Sequence, residues 1–248
     1  MHNYQAPEGL LAGKIILVTG AGAGIGKEAA LSYAKLGATV VLLGRSQEKL
    51  DDVYDLIESA GGPQPAIVPL NLESAVELEY QQLATTIENE FGRLDGLLLN
   101  AAMLGSITPI ANYPVEEWER VMQVNVNSQF AITKALLPLL NLSDAGSIIF
   151  TTSSVGRKGR AHWGAYGVSK FAIEGLMQTL TDELENTSST RVNCINPGAT
   201  RTAMRGNAYP AEDPATVCHP KDIMGLYHYL MGKDSLNTRG QSLDAQPK

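Results

Sequence analysis

The chain has 248 residues, 44% of them hydrophobic and 18% charged, which suits one α/β domain with a large core. A net charge of −7 argues against broad binding to nucleic acid or to anionic membrane surfaces. No apolar run approaches the roughly 20 residues needed to span a bilayer. The start, MHNYQAPEGLLAGK, lacks the basic and apolar segments of a secretory leader, so a cytoplasmic protein is expected. Cys194 and Cys218 form no close pair and the four histidines show no ligand spacing, which speaks against a disulfide framework and a metal site.

In chain order, KIILVT at 14–19 reads as a strand, followed at once by GAGAGIG and a helix from about Ile25 to Leu36. TVVLLG at 39–44 is a second strand, and Ser46 is placed to cap a helix ending near Ala60. GGPQP is a turn and AIVPL a third strand, and a helix is then expected from about Ser74 to Phe91. LDGLLLN at 94–100, SIIFTT at 147–152 and RVNCIN at 191–196 are further strands, with SLDA at 242–245 a candidate last one. Helices are expected over about 115–138, 163–185 and 220–231.

Strands alternating with helices imply βαβ units and a parallel sheet. The strands are continuous apolar runs, as required when helices cover both faces. The fold class is therefore a single-domain, Rossmann-type doubly wound α/β sheet. Residues 14–150 form its cofactor half and residues 151–248 its catalytic and substrate half. The one long irregular stretch, 199–219, reads as a substrate lid.

Thr19-Gly20-Ala-Gly22-Ala-Gly24-Ile25-Gly26 lies between the first strand and the first helix, the context that makes a glycine repeat a dinucleotide cradle. At the end of the second strand, an acidic residue would select the ribose 2′-OH and an arginine the 2′-phosphate. Here Gly44-Arg45-Ser46 offers an arginine and no carboxylate before Glu48, which favours NADP(H) over NAD(H). Tyr166 and Lys170 stand at i and i+4, on one face of a helix. An ammonium so placed is expected to pull the phenol pKa down towards neutrality, fitting the pair for proton transfer.

TGxxxGxG at 19–26, Asn100-Ala101-Ala102, Asn125, Ser153, Tyr166-x-x-x-Lys170 and Pro197-Gly198 occur in an order that resembles the short-chain dehydrogenase/reductases, over roughly residues 14–245. MQVNVN, SSVGRKGRAHWGAY, INPGATRTAM and the ending DAQP resemble one bacterial group of oxidoreductases within that family. The resemblance implies a catalytic tetrad. Tyr166 is the acid or base, Lys170 tunes it and bonds the nicotinamide ribose, Ser153 rather than Ser154 polarises the carbonyl, and Asn125 rather than Asn127 holds a relay water. It also implies a cofactor-binding set of Gly20, Gly22, Gly24, Ile25, Gly26, Arg45, Ser46, Asn71, Leu72, Asn100, Ala101, Tyr166, Lys170, Pro197, Gly198, Thr200 and Thr202.

Three positions depart from the family pattern. Asn71 replaces an acidic adenine contact, Leu99-Asn100-Ala101-Ala102 differs at its first and last residues, and Ala23 puts no base in the glycine loop. The family also implies a homo-oligomer, paired through the helices near 115–138 and 163–185.

The leading function is NADPH-dependent reduction of a ketone or 3-oxoacyl compound. An NAD-dependent alcohol or sugar-alcohol dehydrogenase and a non-catalytic cofactor sensor are the alternatives. Arg157, Lys158, Arg160 and His162, with Arg201 and Arg205, leave two readings open: a pocket mouth for an anionic substrate, or surface and subunit charges, the second being favoured.

Overall fold

Seven short apolar runs pair side by side, all parallel, in the order β3-β2-β1-β4-β5-β6-β7. In the computed structural model, which describes residues 4–247, they are β1 (Ile15–Thr19), β2 (Thr39–Gly44), β3 (Ala66–Pro69), β4 (Gly96–Leu99), β5 (Ser147–Thr151), β6 (Arg191–Asn196) and β7 (Ser242–Asp244). Residues 1–3 of the stretch read for a leader lie outside the described residues.

Successive side chains leave a strand on opposite faces, and here both faces are dry. Ile16, Val18, Val40, Leu42, Leu98, Ile149 and Ile195 pack under α1 (Gly24–Lys35), α2 (Gln47–Ser59) and α8 (Met224–Met231). Leu17, Val41, Leu43, Leu97, Leu99, Ile148 and Phe150 pack under α3 (Glu77–Phe91), α5 (Ser128–Leu140) and α6 (Gly164–Leu184). Two-sided burial is why these strands read as unbroken apolar runs. The chain winds out from β1 to β3 and then returns to β4 on the other side of β1. That reversal opens a crevice at the carboxyl ends of β1 and β4, where ligands of open α/β sheets bind.

Four local expectations are corrected. Ser46 occupies the cap position of α2, but its side chain makes no capping bond. The third helix begins at Glu77 rather than Ser74, because residues 71–75 are tied in a turn by bonds from the Ser74 and Ala75 amides to the Asn71 carbonyl. The run from Val115 is not one α-helix. It consists of α4 (Val115–Met122), a wider π turn over Gln123–Asn127, and α5. Segment 199–219 is not wholly irregular, since Ala203–Ala208 forms a short helix, α7.

Below the sheet, opposite the crevice, Asp95 is buried between elements. It accepts bonds from the Ile15 amide (3.0 Å), Ser143 Oγ (2.6 Å), Lys14 Nζ (3.1 Å) and Arg93 Nε. Burial pushes its carboxyl pKa up, but the bonds from Ser143, Ile15 and Lys14 outweigh this and leave it below the ordinary 3.8. A carboxyl held low in the fold stabilises fully above its unfolded pKa and loses that contribution as the pH falls through the folded value. Asp95→Ala is therefore expected to lower the unfolding free energy by about 2–3 kcal/mol at pH 7. Urea titrations should show the gap to the wild type closing below about pH 4; a gap independent of pH would remove the charge from the explanation.

Candidate active site

At the top of β1 the chain turns through Gly20 (φ +68°) and Gly24 (φ +56°), left-handed conformations that favour glycine. Close packing fixes the others. A Cβ on Gly26 would run into the Gly20 carbonyl oxygen and lie 2.8 Å from Asn100 Nδ2, and one on Gly20 would lie 3.1 Å from Ala101 Cα. The loop thus rests directly on Asn100-Ala101 at the end of β4. Buried Thr19 joins the two strands, its Oγ1 accepting from the amides of Asn100 (2.9 Å) and Ala101 (3.0 Å). Ile25 lies in the first turn of α1 beside these glycines, and its backbone lies at the positive end of the helix dipole.

Beside this loop runs a cavity of about 540 Å³. At its β2 end lie Arg45, Ser46 and Lys49. Arg45 and Lys49 are exposed and make no hydrogen bond or ion pair among the described residues, so two unpartnered cations and a free hydroxyl converge there. Lys49 was not singled out in the sequence. Its signal is the glycine opposite it, since a Cβ on Gly22 would come 2.9 Å from Lys49 Cβ. Asn71 and buried Leu72 line the cavity next to this end. The Asn71 amide oxygen already accepts from the Glu73 amide at 3.2 Å, leaving one lone pair for any adenine contact.

At the β5–β6 end, the first turns of α6 present Tyr166 and Lys170 on one face. Lys170 is 1% exposed, donates from Nζ to the Thr151 carbonyl at 2.8 Å and lies 5.4 Å from the Tyr166 ring centroid. The expected lowering of the phenol pKa is not what the site shows. Burial pushes Tyr166 up to about 12, with the Ser153 side chain bonding it and working in the opposite direction. Burial likewise brings Lys170 down to about 8. The ammonium is held over the ring and bonded to a carbonyl, while both groups are stripped of water. Ser153 lines the cavity and Ser154 does not.

Asn125 sits fully buried in the π turn. Its Oδ1 accepts from the Met103 amide (2.7 Å), and its Nδ2 donates to the Met103 carbonyl (2.9 Å) and to Ser169 Oγ (3.0 Å). Those bonds use both amide protons, so a relay water there would have to be held chiefly by main chain. Asn127 is exposed and bonds Gln123.

After β6, Pro197, Gly198, Thr200 and Thr202 all line the cavity. Gln246, missed in the sequence, clamps this turn: its Nε2 donates to the carbonyls of Pro197 (2.8 Å) and Ala199 (2.7 Å). Gly198, at φ +73°, leaves it room. Thr202 caps α7 by accepting from the Arg205 amide, and its Cγ2 would touch a Cβ on Gly24 at 3.3 Å.

The basic cluster does not gather at the mouth. Arg157 turns away to pair with Glu174 (3.3 Å) and Asp244 (2.6 Å). Arg157, Lys158, Arg160 and His162 are absent from the cavity wall. Arg201 bonds the Ala215 and Val217 carbonyls within the lid segment.

A model of the short chain dehydrogenase family matches residues 14–213. The chain belongs to the short-chain dehydrogenase/reductase family. It is 55% identical over 247 residues to the oxidoreductase YciK of Escherichia coli K12, covering all of this chain and 97% of that one. It is 55% identical to a short chain dehydrogenase from Escherichia coli CFT073 solved with NADPH, with a TM-score of 0.95, covering 97% of this chain and all of that one. A more distant relative, the 3-oxoacyl-[acyl-carrier-protein] reductase FabG of Thermotoga maritima, is 31% identical over 78% of this chain and 77% of that one. Among the described residues no helix is long and apolar enough to cross a membrane.

A lysine whose pKa falls on folding is charged in both states below about 8, where its burial costs stability. Above that pH the folded state sheds the proton first, so the cost fades towards the ordinary 10.5. Lys170→Met is accordingly expected to be more stable than the wild type at pH 7, in the absence of ligand. Thermal melts should show the difference shrinking between pH 8 and 10.

Proposed function

We propose that the protein is an NADPH-dependent reductase of ketone-type carbonyl compounds. The observation that carries this reading is one cavity with unpaired Arg45 and Lys49 at one end and Ser153, Tyr166 and Lys170 at the other. Solved relatives bound to NADP and NADPH, each at least 54% identical, support the cofactor.

The residues fit that cofactor on their own geometry. The glycine loop leaves its backbone bare at the start of α1, so Gly20, Gly22, Gly24, Ile25 and Gly26 would hold the pyrophosphate. Arg45, Ser46 and Lys49 would hold the 2′-phosphate, and Asn71 and Leu72 the adenine. Asn100, Ala101, Pro197, Gly198, Thr200 and Thr202 would border the remainder, with Lys170 on the nicotinamide ribose. The bound cofactor supplies a hydride to the carbonyl carbon.

Tyr166 donates its proton to the carbonyl oxygen. With its pKa near 12 it is held in the protonated form at neutral pH, which suits reduction; oxidation would first need that proton removed. Ser153 donates a hydrogen bond to the same oxygen as charge develops on it. Lys170, charged below about pH 8, stabilises the phenolate left behind. Asn125 would position a water for proton return, held by main chain. We also assign a homo-oligomer paired through α5 and α6, which leave Phe130 (53%), Val168 (44%) and Phe171 (45%) exposed; light scattering showing only monomer at micromolar concentration would rule it out.

In fluorescence titrations the wild type should bind NADPH at least about tenfold more tightly than NADH, the worth of one charge-assisted hydrogen bond. Arg45→Ala and Lys49→Ala should each erode that preference and leave NADH nearly unchanged. Equal losses for both cofactors would mean that neither side chain reads the phosphate. Tyr166→Phe should abolish turnover with NADPH binding intact, and retained turnover would sink its acid–base role.

A further inference from the structure

Beyond the reacting carbonyl, the cavity at the Tyr166 end is walled by Met103, Leu104, Trp163, Met204 and Tyr209. Five charged residues line the cavity as a whole: Arg45, Lys49, Glu73, Lys170 and Arg205. Arg45 and Lys49 belong to the β2 end. Glu73 is paired with Arg120 at 2.7 Å, and Lys170 is buried beneath the reacting groups.

Arg205 is the charged residue on the lid side of the wall, and it is ion-paired. Its Nε and Nη2 each bond a Glu212 carboxylate oxygen at 2.6 Å, and its guanidinium stacks 3.7 Å from the Tyr209 ring centroid. The Tyr209 hydroxyl in turn accepts from Arg160 Nη1 at 2.7 Å. Trp163 packs 5.7 Å from Tyr166 and 6.0 Å from Tyr209, ring centre to ring centre. The clasp therefore presents ring and thioether surface to the cavity, with Arg205 ion-paired to Glu212 and Arg160 held outside the wall.

An anionic group entering beside this wall would lose its water and meet a guanidinium already paired with a carboxylate, a costly exchange. It would also approach Glu212, whose carboxylate holds Arg205. An apolar group would gain contact with two aromatic rings and two methionines, whose flexible thioethers adapt to varied shapes.

We infer that the substrate is an uncharged carbonyl compound whose non-reacting part is apolar, and not a carboxylate, a phosphate or an acyl chain on an acidic carrier. The inference rests on the reductase reading for which carbonyl reacts, but the pocket's preference can be measured without turnover.

The probes are methyl 4-acetylbenzoate and 4-acetylbenzoate, which share the ketone and the ring and differ in one negative charge. Calorimetric titration into the protein saturated with NADP⁺ reads binding alone, because a ketone cannot react with the oxidised cofactor. The ester should bind at least about tenfold more tightly than the carboxylate. Equal or tighter binding of the carboxylate, or no binding of the ester up to its solubility, overturns the inference.

Glu212→Gln releases Arg205 from its ion pair without touching the cavity wall, and should narrow the ratio several-fold by improving carboxylate binding. An unchanged ratio would show that the paired Arg205 is not what excludes anions. Turnover with NADPH is scored separately: an ester that binds selectively but is not reduced counts against the reductase reading and leaves the pocket assignment standing.

Discussion

The carboxyl ends of β1 and β4 are brought together by one hydroxyl. Thr19 Oγ1 receives the amides of Asn100 and Ala101, two donors that the strand ladder leaves unused where β4 ends. That closure seats the glycine loop on Asn100-Ala101, so close that Gly20 and Gly26 have no room for a Cβ. Asn100 continues the linkage, accepting from Thr151 Oγ1 at the end of β5. Thr151 in turn receives Lys170 Nζ on its carbonyl. A chain of main-chain and side-chain bonds thus runs from the glycine loop to Lys170 across three strands. The positions of the two halves of the cavity are therefore not independent.

Burial governs the chemistry at the far end of that chain. In water the phenol and the ammonium would titrate near 10 and 10.4. In the fold, loss of solvent drives them in opposite directions, to about 12 for Tyr166 and about 8 for Lys170, because each neutral form is the one that a dry site prefers. Helical spacing alone suggested a charge acting on a phenol. The direction of the shift depends on how much water surrounds both groups, and spacing carries no information about that.

The lid shows the same contrast. Arg157, Arg160, Arg201 and Arg205 look alike in the sequence, a basic neighbourhood on either side of Tyr166. In the structure each has a different partner: Glu174 and Asp244, the Tyr209 hydroxyl, backbone carbonyls of the lid, and Glu212. Those partners are 7 to 87 residues away along the chain, so local reading of charge could not reveal that they are spoken for. Lys49 is the converse case. It looks like an ordinary helix-surface lysine, and only the fold shows that it lines the cavity with Gly22 packed against it.

By itself, the sequence determined the strands and the fold class, because apolar runs alternating with helical patterns specify a parallel sheet covered on both faces. It also singled out the candidate groups, because Tyr166 and Lys170 share a helix face through their spacing and the glycine loop stands between strand and helix. These are local properties, written in neighbouring residues. The tertiary structure decided which charges remain free, which hydroxyl bridges the strands, and how Gln246, from the end of the chain, fixes the Pro197-Gly198 turn. It also decided the π turn that buries Asn125, because that turn is held by bonds to Met103 and Ser169, 22 and 44 residues away. Contacts of that length, and the exclusion of water they produce, exist only once the chain has folded.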